Sequence, residues 1–189
     1  MKFENDIQQC LEVLHSGGII LYPTDTVWGI GADATNEAAV EKIYELKKRP
    51  GSKAMIVLVA DERDVLKYVA GADLAVFDYL QHVKKPTTVI YEGAIGLAGN
   101  LVADDGSIAI RICADTFCRH LIKRFRKPIV STSANFSNKS TPANFGDIDE
   151  QIKRGVGYVV QHRQDETNAA SASSVIRWGR DGMVTIVRP

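Results

Sequence analysis

Apolar residues recur at helical spacing at Ile7, Cys10, Leu11 and Leu14, and Gly17-Gly18 then interrupts the pattern before the unbroken run Ile19-Ile20-Leu21-Tyr22. A 3.6-residue period giving way to a continuous apolar run predicts a helix, a left-handed stop and a strand. Pro23 to Gly31 mixes a rigid proline, two hydroxyls, an acid and two glycines. That composition predicts a strand, a ligand-facing turn and a second strand. Asn36 is placed to cap a helix whose Val40, Ile43 and Tyr44 face the core and which must end before Pro50. Ala54 to Val59, nearly all apolar, reads as a central strand.

Asp61 with Asp64 has the form of an N-cap and a first-turn acid for a helix through Val65, Leu66 and Val69, and a second helical pattern follows at Phe77 and Leu80. Strands are predicted at Thr87 to Tyr91 and at Ile108 to Ile112. Phe117, Cys118, Leu121, Ile122 and Phe125 define an amphipathic helix leading into the apolar run Pro128-Ile129-Val130. Phe136 to Phe145, rich in Ser and Asn, reads as a loop long enough to cover or line something. Short strands follow at Tyr158 to Gln161, Ser174 to Arg177 and Val184 to Val187, the last two joined by a turn at Asp181-Gly182. Helical crossovers alternating with strands and ending in a hairpin predict an α/β fold, bordering on α+β, with a mixed sheet flanked by helices.

Composition narrows the function classes. With 189 residues, 45% of them hydrophobic, and no visible linker, the chain is expected to form one domain over 1–189. Lys plus Arg equals Asp plus Glu at 23 each, which excludes binding to nucleic acid or membrane driven by net charge. Any charge-based recognition must be local. Cys10, Cys113 and Cys118 form no metal-type pair and read as structural thiols of a reducing compartment. No apolar run approaches the ~20 residues of a membrane span, so a cytoplasmic protein without membrane contact is expected. Neither a GxxxxGK[ST] nor a GxGxxG pattern occurs, and His15, His82, His120 and His162 are too scattered for a metal cage or a catalytic triad.

Candidate chemistry concentrates at three places. Ser131-Thr132-Ser133-Ala134-Asn135 follows a short apolar run, as a site at the C-terminal end of a buried strand would. Its hydroxyls and amide suit a phosphate, a carboxylate or a sugar, and the same residues also suit a plain polar turn. Lys47, Lys48, Arg49 and Lys53 gather four cations within seven residues. They complement a helix C-terminus or form an anion-binding lip. Arg111 interrupts an apolar strand and needs either a structural acid or an anion in a cleft. Arg188, beside the end of the chain, reads on position alone as a solvated tail residue.

Tyr22-Pro23-Thr24-Asp25-Thr26-Val27-Trp28-Gly29-Ile30-Gly31, then Lys47-Lys48-Arg49-Pro50, then Ser131 to Asn135 resemble, in order and spacing, three signatures of the YrdC-like threonylcarbamoyl-AMP synthases. Weaker likenesses at Ser107 to Arg111, Ser173 to Ile176 and Val187-Arg188-Pro189 extend the resemblance over nearly the whole chain. The resemblance implies a strongly twisted mixed sheet with one concave basic cleft, and a nucleotidyltransferase of tRNA processing. Such an enzyme makes threonylcarbamoyl-AMP from L-threonine, bicarbonate and ATP, with Mg2+ accompanying the nucleotide and pyrophosphate released. By position, Arg49, Lys53, Ser107, Ser133, Thr141 and Arg188 would contact ATP, and Thr26, Arg111, Ser131 and Ser174 would hold threonine. Lys47, Arg49, Ser133 and Asn135 match the family's signature tetrad and take the catalytic assignment. Downstream threonylcarbamoyl-transferase proteins are the implied partners, with tRNA or double-stranded RNA as a further one.

Three departures from that pattern stand out. Val83-Lys84-Lys85-Pro86 replaces an apolar-Pro-Gly-Pro stretch, Leu58 stands where some relatives carry a histidine, and the chain ends at Pro189 without the extra C-terminal domain of longer relatives. Two other readings stay open: an RNA-binding or ribosome-associated module without turnover, and a carbamoyl-transfer domain related to hydrogenase maturation.

Overall fold

A computed structural model describes residues 2–48, 55–167, 171–179 and 182–189. Its helices are α1 (Glu4–His15), α2 (Glu37–Lys47), α3 (Glu62–Tyr68), α4 (Ala75–His82), α5 (Thr116–Phe125) and α6 (Glu150–Arg154). Its strands are β1 (Ile20–Tyr22), β2 (Gly29–Gly31), β3 (Ile56–Val59), β4 (Thr87–Tyr91), β5 (Ile108–Ile112), β6 (Ile129–Ser133), β7 (Tyr158–Val159), β8 (Ser174–Trp178) and β9 (Val184–Arg188). The predicted N-caps form: Asn36 accepts from the Ala39 N–H at 3.2 Å, and Asp61 from the Asp64 N–H at 3.3 Å. Asp115 caps α5 in the same way through the Cys118 N–H. The short α6, with Ile152 as its one buried apolar residue, was not predicted.

The strands form one sheet in the order β7-β1-β2-β6-β3-β5-β4-β8-β9. Pairs β1/β7, β3/β5 and β4/β8 are parallel and the rest antiparallel, so the sheet is mixed, as expected. Strand alternation sorts the side chains onto two faces. Val57, Val89, Ile108 and Ile110 are buried in the core on one face. There α1 and α5 contribute Ile7, Cys10, Leu14, Phe117, Leu121 and Phe125, each fully buried apolar side chain stabilising the fold by about 1.5–3 kcal/mol. The opposite face presents Ile56, Ala109, Arg111, Thr88 and Ile90 to a concavity.

Gly31 lets β1, β2 and β6 approach closely. A Cβ there would lie 2.6 Å from Tyr22 Cε1 and 3.0 Å from the Val130 carbonyl. The loop after β6 is fixed at both ends. At its start the Asn135 amide donates to the carbonyls of Phe136 and Lys139 at 3.0 and 2.8 Å. At its end the Phe145 ring packs 4.8 Å from Trp28, with the Lys153 ammonium 4.6 Å from the centre of the same ring. In the sheet β7 lies at one edge and β8 next to the other.

Candidate functional site

The concave face encloses about 320 Å3 and is lined by Thr26, Arg111, Ser131, Ser133, Thr141, Ser173 and Arg188, with Ile56, Ile90, Ala109 and Val175 among the apolar floor residues. Two guanidiniums and a row of hydroxyls face this space, and none of its described lining residues is an acid. Each of four other concavities of similar size is lined by two acids, as where Asp61 and Asp64 meet Lys67 and Lys127. The described lining of the cleft is therefore richer in donors than that of the other four, and the carboxylate that engages it, Asp25, stands behind Arg111 rather than among the lining residues.

Arg111 meets both demands raised by the sequence. Its Nη2 pairs with Asp25 Oδ1 at 2.9 Å in a bridge that is nearly inaccessible on both sides, 3% and 9% exposed. Asp25 Oδ2 accepts the Ala114 N–H at 3.2 Å, so the carboxylate is held from two directions. The Arg111 Nε N–H is buried without a partner among the described residues. A buried donor in that state costs about 1–3 kcal/mol. Leu58 lies beside Arg111 in the β3/β5 register and is fully buried, so it adds no polar group there.

Around Arg111 the hydroxyls are fixed by their own contacts. Thr24 Oγ1 lies 2.8 Å from the Val27 carbonyl, 3.0 Å from the Thr26 N–H and 3.0 Å from Thr26 Oγ1, which braces the turn between β1 and β2. Tyr22 lies under Ser131, and burial pushes its phenol well above the ordinary range, so it stays neutral with its O–H on the Val130 carbonyl. Ser173 Oγ lies 2.9 Å from Thr88 Oγ1 and accepts from Arg188 Nη2.

Several site expectations change on this geometry. Ser174 stands with Thr87 and Ile176 on the face away from the cleft, because side chains alternate along β8. It is Ser173, with Val175, that faces inward. Arg188 is exposed but is not a free tail: it ends β9, and its guanidinium donates twice to the Ser173 carbonyl at 3.0 and 2.8 Å. Lys47 does not open onto the cleft. Its side chain is 1% exposed, and the ammonium donates to the carbonyls of Ser133 and Asn135, tying the end of α2 to the end of β6. Asn135 likewise folds its loop, and its Oδ1 is buried. Ser107 is buried at the start of β5, with its N–H on Asp105 Oδ1. Lys84 and Lys85 line a neighbouring concavity, where Lys85 reaches the Pro189 carbonyl. Arg49 and Lys53 lie outside the described residues.

The three cysteines are free and buried, as expected. Burial pushes the Cys10 and Cys118 thiols far above their ordinary range, so neither serves as a nucleophile. Among the described residues no group of three His, Cys, Asp or Glu could hold a metal ion, and no helix is long and apolar enough to cross a membrane. The residue that sequence reasoning missed entirely is Arg163, whose guanidinium reaches the Thr24 carbonyl beside the cleft.

Residues 12–189 match the model of the Sua5/YciO/YrdC family, described as "Telomere recombination". The threonylcarbamoyl-AMP synthase of Idiomarina loihiensis is 33% identical over 168 residues, covering 86% of this chain and 88% of the relative. The putative threonylcarbamoyl-AMP synthase of Methanocaldococcus jannaschii is 32% identical over 187 residues, covering 97% and 87%. Among solved structures, P. abyssi Sua5 complexed with L-threonine superposes with a TM-score of 0.86 at 22% identity, over 98% of this chain and 54% of that one. E. coli YciO superposes with a TM-score of 0.79 at 20% identity, over 97% and 88%. The chain thus spans about half the length of the P. abyssi protein, and at these identities the superpositions speak to the fold alone. With a family model matching from residue 12 to the last residue, and relatives above 30% identity over most of its length, the chain belongs to the Sua5/YciO/YrdC family.

Proposed function

We propose that the protein is a threonylcarbamoyl-AMP synthase, a nucleotidyltransferase that supplies the activated donor for N6-threonylcarbamoyladenosine in tRNA. The observation that carries this reading is a cleft with no acid among its described lining residues, in which a buried arginine keeps one N–H without a partner among the described residues beside several hydroxyls. Thr26, Arg111 and Ser131 suit a small amino acid, with Ser173, hydrogen-bonded to Arg188, between them and the nucleotide side. Ser133, Thr141 and Arg188 suit a nucleotide. Ser173 takes the place in the cleft that sequence position had given to Ser174.

In this reading Arg111 binds the threonine carboxylate through N–H groups that Asp25 leaves available. The threonine amine adds to CO2, forming a C–N bond and releasing one proton, or to bicarbonate, forming the same bond as the amine hydrogen and the bicarbonate hydroxyl leave together as water. One carbamate oxygen then attacks the α-phosphorus of ATP, forming a P–O bond as the bond to pyrophosphate breaks. The attacking group is already an anion, so this step needs no general base. What it needs is alignment and neutralisation of charge on the phosphates. Arg188 contributes part of this, and Arg49 and Lys53 are assigned the remainder. Lys47 and Asn135 act behind the surface, holding the end of β6 and its loop in place. The described donor set does not fit a protein-held Mg2+, so the metal belongs to the nucleotide, carried on phosphate oxygens as part of the substrate.

The proposal is tested by following labelled bicarbonate into a product that contains AMP. Incorporation that requires both L-threonine and ATP is expected, and Arg49→Ala is expected to lose most of it with the fold intact. Labelled product with carbamoyl phosphate in place of bicarbonate and threonine would point to carbamoyl transfer instead. Absence of any labelled product would reject the enzyme reading.

A further inference from the structure

Arg163 belongs to none of the sequence signatures and to no strand or helix, yet it ties its own segment to two distant ones. Its Nη1 donates to the Thr24 carbonyl at 3.2 Å and to Asp115 Oδ2 at 2.9 Å, and its Nε donates to Glu166 Oε2 at 2.7 Å. Its backbone is left-handed, with φ at 70°, a conformation that residues with a Cβ hold only where their surroundings impose it. The neighbouring backbone is pinned as well. Asp6, 5% exposed on α1, accepts the N–H groups of Gln161 and His162 at 2.9 and 3.0 Å. The backbone just after β7 is thus rigid, and Arg163 is its contact with the turn between β1 and β2.

That turn controls two groups in the cleft. Thr24 Oγ1 has one hydrogen, and the Val27 carbonyl at 2.8 Å takes it. Toward Thr26 it can then only accept, from the N–H and from the hydroxyl, each at 3.0 Å. With its hydrogen committed to Thr24, Thr26 Oγ1 presents lone pairs to the cleft. The next residue back, Asp25, orients Arg111, a pure donor. One turn therefore sets an acceptor beside a donor, the complement of an amino acid's N–H and carboxylate.

We propose that Arg163 is a positioning residue for the amino-acid end of the cleft, holding the Thr24 carbonyl so that Thr26 accepts and Arg111 donates at a fixed separation. This rests on the reading of that end as the L-threonine subsite. Asp115 also caps α5 through its other oxygen, so removing Arg163 leaves that cap in place.

The test compares the full-length wild type with Arg163→Met, Arg163→Lys and Glu166→Gln in initial-rate assays and in hydrogen exchange without ligand. For Arg163→Met the Michaelis constant for L-threonine is expected to rise about ten-fold while that for ATP stays within about two-fold, since small displacements of a positioning group act on the group it serves. Arg163→Lys, which can keep one of the two contacts, should fall between, and Glu166→Gln should match wild type. Peptides spanning residues 22–28 should exchange faster in Arg163→Met. Wild-type threonine dependence in Arg163→Met, an equal rise in both Michaelis constants, or unchanged exchange at 22–28 would each overturn the proposal. If the wild type makes no product, the functional reading fails on its own, and the exchange comparison still decides whether Arg163 holds the turn.

Discussion

Replacing Arg111 by lysine keeps the charge but removes the planar fork that serves Asp25 and a ligand together. The Arg111→Lys variant is expected to raise the Michaelis constant for L-threonine at least ten-fold, with that for ATP within about two-fold in initial rates. An unchanged threonine dependence would remove Arg111 from the amino-acid end. Lys47→Met tests a different role. The Asn135 carbonyl loses the Lys47 donor and the Ser133 carbonyl keeps only the Asn135 N–H among the described residues, so a stability loss of about 1–3 kcal/mol is expected in urea unfolding. Retained stability would contradict the buried tie. The type of residue at both positions was legible in the sequence, but the direction of the side chain was not. A lysine at a helix end points outward or inward according to acceptors 86 and 88 residues away in the chain. The same limit separates Ser173 from Ser174: adjacent serines in a strand serve opposite faces, and only the register with β4 decides which faces the cleft.

At the scale of elements, periodicity and capping chemistry were legible wherever a segment was long enough to repeat. α1, α2 and α5 follow their apolar spacing, and Asn36 and Asp61 cap as their positions imply. α6 escaped notice because five residues with one buried apolar side chain contain no period. The strand predicted to Gln161 stops at Val159 because from Gln161 the backbone turns to Asp6 rather than to a neighbouring strand. Gly31→Ala probes how tightly β1, β2 and β6 meet. The added Cβ would press on Tyr22, Ile129 and the Val130 carbonyl, neighbours fixed on both sides. A loss of about 1–3 kcal/mol is expected in chemical denaturation, and wild-type stability would show that the strands have room to spare.

For the whole molecule, the mixed α/β class followed from the alternation of elements, but the strand order that makes one concave face could not be read from the chain. Long-range pairing sets it: β6 stands between β2 and β3, and β8 beside β4. The buried titratable groups of this core give a global prediction. Burial raises the thiols of Cys10 and Cys118 and the phenols of Tyr22 and Tyr91, so the folded state keeps their protons after the unfolded chain has begun to lose them, near 9.0 for thiols and 10.0 for phenols. Above those values the unfolded state binds fewer protons and stability falls as pH rises, by up to about 1.4 kcal/mol per pH unit for each group. Urea midpoints should therefore decline as pH rises above 9; a flat profile from pH 9 to 11 would contradict the burial. The central claim concerns the cleft, and pyrophosphate release with single omissions tests it most directly. Purified protein with Mg2+ and ATP is predicted to release pyrophosphate only when L-threonine and bicarbonate are both present, whereas no release, or equal release without threonine, would contradict the account.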